Sequence, residues 1–257
     1  MKYTCSAICD IGKVRKNNED NCYVNGNYRS DVDSVHFEYS SDFTDQEMLA
    51  AVFDGMGGEA DGELASLEAA KRLGKYQNSS FADIAEGFVM EANSAICDMM
   101  DVMGKGRMGS TLAIVQIDKE SFSLCNIGDS PVYLFHDGEL EQLSMDHNEA
   151  QNLYEMGIIS KDEVKTDKHK NYLTQHLGIY EDEMVIEPYV LTDQKLKDED
   201  VILICSDGLT DMVSERDIAR IIGQDKDVDT LAHELISAAL DGGGRDNVTV
   251  VIIRVQK

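Results

Sequence analysis

Along residues 2–9 apolar and polar positions alternate, with Tyr3, Cys5, Ala7 and Cys9 on one side, which predicts a half-buried strand. A polar loop, 10–20, leads into a short strand at 21–24. Residues 25–47 are polar and acidic apart from an alternating patch at Val35, Phe37 and Tyr39, and read as a surface loop carrying an extra hairpin. Met48 to Phe53 is an unbroken apolar run that ends abruptly at Asp54-Gly55, as a strand buried on both faces does. The period then changes to that of a helix. Leu64, Leu67, Ala70, Leu73 and Tyr76 mark one helix. A second starts at the capping pattern Ser80-x-x-Asp83 and carries its apolar stripe from Phe81 to Met103. Strands follow at 109–117, 121–127, 132–135 and 140–143, joined by turns short enough for an antiparallel meander.

From Asp146 the apolar content drops. A short helix at 149–156, a capping box at Ser160-x-x-Glu163 and a polar stretch at 165–170 predict a flap over something. Strands near 185–191 and at 201–205, helices from Ser214 and from about Asp229 to Leu240, and a last strand, 248–255, complete the chain. Strand groups separated by helix pairs imply stacked antiparallel sheets with helices outside.

Composition narrows the function. The chain has 257 residues, 42% of them apolar, two prolines and no low-complexity linker, which suits a single domain over 1–257. A net charge of −26 argues against nucleic acid as a partner and suits bound divalent cations, although an acidic solvated surface accounts for most of the 49 acidic residues. Neither a signal peptide nor a run of ~18 apolar residues is present, so a cytoplasmic protein without a membrane span is expected. The six cysteines lie in apolar patterns without a Cys-x-x-Cys pair and read as buried free thiols.

The chemistry centres on aspartates at strand ends. Five Asp-Gly pairs occur, and the ordinary meaning of Asp-Gly is a hairpin turn. Asp137-Gly138, flanked by strands, fits that meaning. Asp54 and Asp207 do not, because a helix rather than a returning strand follows each; spacing alone leaves turn and site open. With Glu19, Asp20 and Asp246 they make five loop carboxylates, hard oxygen donors that select magnesium or manganese over zinc or copper. Arg15 lies four positions before Glu19, and its planar fork suits either a phosphate or a surface salt bridge.

Taken in order, Gly12-x-x-Arg15-x-x-Asn18-Glu19-Asp20, Val52-Phe-Asp54-Gly55-Met56-Gly57-Gly58, Gly109-Ser110-Thr111, Asn126-Ile-Gly128-Asp129-Ser130, Cys205-Ser206-Asp207-Gly208-Leu209-Thr-Asp211 and Arg245-Asp246-Asn247-Val-Thr249 resemble the motifs of the metal-dependent protein phosphatases of type 2C, in their bacterial form. The resemblance runs from residue 2 to 255. It implies an α+β fold of four layers, αββα, in which a central sandwich of two antiparallel sheets is flanked by helix pairs, with a flap subdomain at about 146–178.

It also implies roles. Asp54 would bridge two manganese or magnesium ions, and the Gly55 carbonyl would bind one of them. Glu19 would hold one ion, Asp207 and Asp246 the other, and Asp129 a third, weaker one. Asp20 would hold a metal-bound water, and Arg15 would grip the substrate phosphate. The implied reaction is direct attack of water on phosphoserine or phosphothreonine in proteins, opposing a serine/threonine kinase, by a monomeric enzyme.

Three positions depart from the pattern. Met56 replaces a histidine that many eukaryotic members offer as proton donor; Pro131 replaces an arginine; Asp167-Lys168 replaces a His-Pro pair in the flap. Two rival readings stand beside the resemblance. Cys9-x₅-Arg15 matches the skeleton of the thiol phosphatases, and Met56 with Pro131 would suit a non-catalytic binding module.

Overall fold

The computed structural model describes every residue except Asp45, Gly58, Glu59, Ala60, Lys105 and Lys257. The Gly58 of the second motif therefore lies outside the described residues. The chain opens with strands β1 (Lys2–Asp10), β2 (Asn21–Val24), β3 (Asn27–Tyr28), β4 (His36–Thr44), β5 (Met48–Phe53) and β6 (Gly55–Gly57). Helix α1 (Gly62–Leu73) runs into a 3-10 turn, Gly74–Tyr76. The next helical stretch begins as α2 (Phe81–Asp83), widens into a π-turn at Ile84–Phe88 and continues as α3 (Val89–Met103). Strands β7 (Met108–Ser110), β8 (Leu112–Asp118), β9 (Ser121–Ile127), β10 (Val132–His136) and β11 (Glu139–Gln142) follow, then the short helices α4 (Glu149–Glu155) and α5 (Lys161–Val164). The last part holds β12 (Tyr189–Lys195), β13 (Val201–Cys205), α6 (Asp207–Thr210), α7 (Glu215–Ile222), α8 (Val228–Asp241) and β14 (Val248–Gln256).

Two six-stranded sheets result, ordered β11-β10-β13-β14-β1-β4 and β12-β9-β8-β5-β2-β3, with every pairing antiparallel. Alternation along each strand divides its side chains between two layers. Met48, Ala50 and Val52 of β5 face the opposite sheet, where they meet the inner face of β1 (Tyr3, Cys5, Ala7, Cys9). Leu49, Ala51 and Phe53 pack outward against α1 and α3. On the other sheet Val201, Leu203 and Cys205 of β13 and Val248, Val250 and Ile252 of β14 pack outward against α7 and α8. Burial on both faces is why these strands read as unbroken apolar runs. Each fully buried aliphatic side chain in such a layer contributes roughly 1.5–3 kcal/mol, which lets the frame carry loops of buried charge that are themselves unfavourable.

The α+β, αββα expectation holds, and four local expectations need correction. The apolar patch at Phe37 and Tyr39 belongs to no local hairpin. It is part of β4, which pairs with β1 over nine residues, from Lys2↔Thr44 to Asp10↔His36. Period-2 alternation gives the side that faces the core and leaves the partner unnamed. The meander from 109 to 143 is broken: β8 and β9 lie in one sheet, β10 and β11 in the other, and the chain crosses at 128–131. The strand expected near 185–191 is displaced to Tyr189–Lys195, where pairing with β9 sets it, while Ile186 packs on the α3 layer instead. Asp207 opens the one-turn helix α6, which is too short to leave a period in the sequence. Asp137-Gly138 is the hairpin turn expected, with φ of 49° and 85°.

Candidate metal and phosphate site

The loops at one end of the sandwich bring the site residues together. Glu19 and Asp20 enter from the loop before β2, Asp54 from the end of β5, Asp129 from the crossing after β9, Asp207 from the end of β13 and Asp246 from the loop before β14. Backbone crowding makes the approach close. A Cβ on Gly55 would lie 2.2 Å from the Gly62 carbonyl oxygen and 2.4 Å from that of Glu19, so only glycine fits between the loop and the start of α1. The Gly55 N–H donates to that Glu19 oxygen at 3.1 Å. Gly208 is as constrained, since its Cβ would fall 1.9 Å from the Asn247 carbonyl oxygen.

Each carboxylate is held by neighbours that lie far away in sequence. Asp20 Oδ2 accepts hydrogen bonds from Ser206 Oγ (2.7 Å) and Thr249 Oγ1 (2.8 Å). Asn247 Oδ1 accepts the Glu19 N–H at 2.8 Å, while its Nδ2 donates to the carbonyls of Ile11 and Asn17. Thr111 brackets Asp54, accepting its N–H at 2.9 Å on Oγ1 and donating its own N–H to the Asp54 carbonyl at 2.8 Å. Arg15 lies across the mouth, with Nη2 2.6 Å from Asp246 Oδ2 and Nη1 3.6 Å from Glu19 Oε2.

The electrostatics follow from crowding. Burial, reinforced by Asp20, Asp207, Asp129 and Asp246, raises the Asp54 carboxyl well above the usual range. Burial and then Asp211 and Asp246 raise Asp207 to about 6, although a hydrogen bond with Asp54 opposes this. Burial raises Asp20 to about 7 against the two hydroxyl donors, and raises Asp129 well above the ordinary value with help from Asp207, Asp146 and Asp211. Burial also raises Glu19, with Arg15 opposing. Among the described residues no three Asp, Glu, His or Cys side chains already converge as a finished ion cage. Two pairs are drawn together instead, Asp54 with Asp207 and Glu19 with Asp246 through Arg15. An all-oxygen donor set that repels itself this strongly fits hard divalent cations.

A sequence profile of the family described as "Protein phosphatase 2C" matches residues 6–248. The chain belongs to the protein phosphatase 2C family. It is 35% identical over 258 residues to the serine/threonine protein phosphatase PstP of Mycobacterium tuberculosis, a match that covers 97% of this chain and only 44% of that protein. It is 30% identical to the serine/threonine phosphatase stp of Listeria monocytogenes, over 95% of this chain and 92% of the other. The fold agrees with that of the M. tuberculosis PstP/Ppp crystal structure at a TM-score of 0.83 and 32% identity, covering 100% of both chains. It also agrees with the catalytic domain of PstP in complex with two manganese ions, at a TM-score of 0.80 and 31% identity, again over 100% of both.

Within this family the 2C-type motifs beyond the carboxylates acquire physical reasons. Asn126 ties the root of the flap, donating to the Met145 carbonyl at 2.7 Å, and Gly128 exchanges bonds with His147. Gly109 and Ser110 receive the far end of the flap, where Ser110 bridges to Leu177. Between flap and sandwich lies a cavity of about 600 Å³ that reaches Asp129 and Asp207. Lys165 pairs with Glu215 and Lys170 with Asp211 across it. Pro131 lines this cavity, and its carbonyl accepts the Cys205 N–H at 3.2 Å.

Sequence reasoning missed Ser206, Thr249, Asn247 and Arg29 as holders of the site. The first three lie inside quoted motifs and carry polar atoms next to apolar strands, which is the signal that marks them. The thiol reading fails on structure. Cys9 is fully buried in the inner layer, and burial with the nearby Asp20 pushes its thiol up to about 12, far from the thiolate a nucleophile needs.

Proposed function

We propose that this chain hydrolyses phosphoserine and phosphothreonine on proteins, using two manganese or magnesium ions held by Glu19, Asp54, the Gly55 carbonyl, Asp207 and Asp246, with Asp129 serving a third, weaker ion. The observation that carries it is the meeting of six acidic side chains from five separate loops, five of them with carboxyls raised by burial and by their acidic neighbours. When bound, the ions would supply a water acidic enough to attack phosphorus near neutral pH and would offset charge on the phosphoryl oxygens.

The chain's own residues do the rest. Asp20, fixed by two hydroxyl donors, orients the attacking water and accepts its proton. Arg15 exchanges its carboxylate partners for the substrate phosphate, which its fork matches. Met56 offers no proton, so departure of the serine or threonine oxygen draws its proton from solvent. No side-chain nucleophile takes part, since Cys9 is sealed in the core. The flap at 146–178 meets the protein part of the substrate. The physiological setting that follows is a cytoplasmic monomer that opposes a serine/threonine kinase; among the described residues no helix is long and apolar enough to cross a membrane.

Phosphopeptide hydrolysis with manganese, comparing the wild type with Asp207→Ala and Arg15→Ala, tests the reading. The first substitution should nearly abolish turnover and the second should mainly raise KM. Equal activity in all three proteins would overturn the roles given.

A further inference from the structure

Arg29 is among the largest fully buried side chains of the molecule, at 2% exposure, and among the described residues no carboxylate pairs with it. Its guanidinium donates instead to five backbone carbonyls. Nε and Nη2 both reach the Asp20 carbonyl, at 3.1 and 2.8 Å, and Nη2 also reaches that of Asn18 at 2.8 Å. Nη1 reaches the carbonyls of Asp31, Val32 and Ser34. A buried cation beside an acidic cluster would ordinarily take a carboxylate partner. This one spends every donor on main chain, on both sides of Glu19.

With those bonds counted, the backbone from the Asn18 carbonyl to the Asp20 carbonyl is held at each polar group. The Asn18 carbonyl is held by Arg29, the Glu19 N–H by Asn247, and the Glu19 carbonyl by the Gly55 N–H. The Asp20 N–H donates to Asn18 Oδ1, and the Asp20 carbonyl accepts from Arg29. Asn18 Nδ2 ties the same loop to the Val35 carbonyl at 3.1 Å. The segment 31–35, which looks like an idle acidic excursion, is thus fastened to the loop that carries two site carboxylates.

We propose that Arg29 is a positioning residue, which fixes where Glu19 and Asp20 point by clamping the carbonyls on either side of Glu19 to the 31–34 turn. The inference rests on the metal-phosphatase reading above. Lysine has three donors on a point-like head and cannot span five carbonyls in two directions, and methionine supplies none. A loop released by about 1 Å loses on the order of 100-fold in rate when it carries catalytic geometry.

The test compares wild type, Arg29→Lys, Arg29→Met and, as a control on the exposed face of α7, Arg220→Met. Manganese binding is measured directly by calorimetry at a temperature well below each protein's melting point, alongside kcat and KM for a phosphopeptide. The expected result is manganese affinity weakened at least 10-fold in both Arg29 variants, with Arg29→Lys the milder. We expect kcat to fall at sub-saturating manganese and to recover as manganese is raised, while KM for the phosphopeptide stays within about threefold. Folded Arg29 variants with wild-type manganese affinity and kcat would overturn the assignment, even if they melt earlier. Failure of both Arg29 variants to fold would make Arg29 a stability element and also overturn it. A wild-type protein that binds no manganese would bring down the metal-phosphatase reading, and this inference with it.

Discussion

Gly55→Ala isolates the closeness of the site loops from their charge. The added methyl carbon would meet the carbonyl oxygens of Gly62 and Glu19 at 2.2 and 2.4 Å, where ordinary contact begins at 3.4 Å. Both obstacles are backbone, so neither can swing aside. The Glu19 loop, the Asp54 loop and the start of α1 must together open by about 1 Å, and the Gly55 N–H bond to Glu19 is lost. Overpacking of this kind costs about 1–3 kcal/mol of stability. Moving Glu19 away from Asp54 by about that distance should lower kcat/KM on the order of 100-fold. Gly106→Ala is the matched control: no heavy atom lies within 4 Å of the Cβ it would add, and stability should change by less than ~0.5 kcal/mol. The assay is manganese-dependent hydrolysis of a phosphopeptide, with manganese affinity and thermal unfolding measured on the same samples. A Gly55→Ala protein within threefold of wild type in both kcat/KM and manganese affinity would refute the argument from loop contact.

Three further outcomes follow from the same geometry. In the metal-free protein Asp20 titrates at about 7 and Asp207 at about 6, against ~3.9 when unfolded, so the folded state keeps protons the unfolded chain has lost. Their stabilising contribution is complete below about pH 4 and disappears as pH rises through 7; Tm in EDTA should therefore fall between pH 5 and 8, and millimolar manganese should remove that fall. A flat or rising Tm in EDTA would contradict the raised carboxyls. The flap pairs Lys165–Glu215 and Lys170–Asp211 are part-exposed and worth ~0–1 kcal/mol each, so Lys165→Ala with Lys170→Ala should shift phosphopeptide KM severalfold and lower Tm by no more than about 8 °C. No change in KM, with phosphopeptide and small aryl phosphate treated alike, would separate the flap from substrate choice. Iodoacetamide should leave the native enzyme active because Cys9 is sealed and protonated, whereas EDTA should abolish turnover; the reverse pattern would restore the thiol reading.

Much of this protein could be read from residue order alone, because burial on two faces leaves a mark that needs no partner to be recognised. The runs at 48–53, 201–205 and 248–255 announce central strands, and an aspartate that ends such a run before a helix stands out from the hairpin aspartate at 137. The amphipathic stripes of α1, α3 and α8 are equally local, as are the caps at Ser80, Ser160 and Ser214. Partnership is not local. Which strand β4 joins, and where the chain crosses between β9 and β10, depend on surfaces distant in sequence, as with Val132 of β10 opposite Ile204 of β13, and period-2 alternation is the same for every candidate neighbour. The same holds at the site. Carboxylates could be suspected from type and place, but the hydroxyls of Ser206 and Thr249 on Asp20, the Asn247 amide on Glu19 and the five-carbonyl clamp of Arg29 exist only once the loops have met. A hydrogen bond needs its partner within about 3 Å, and the folded chain alone brings residues 20 and 249 that close.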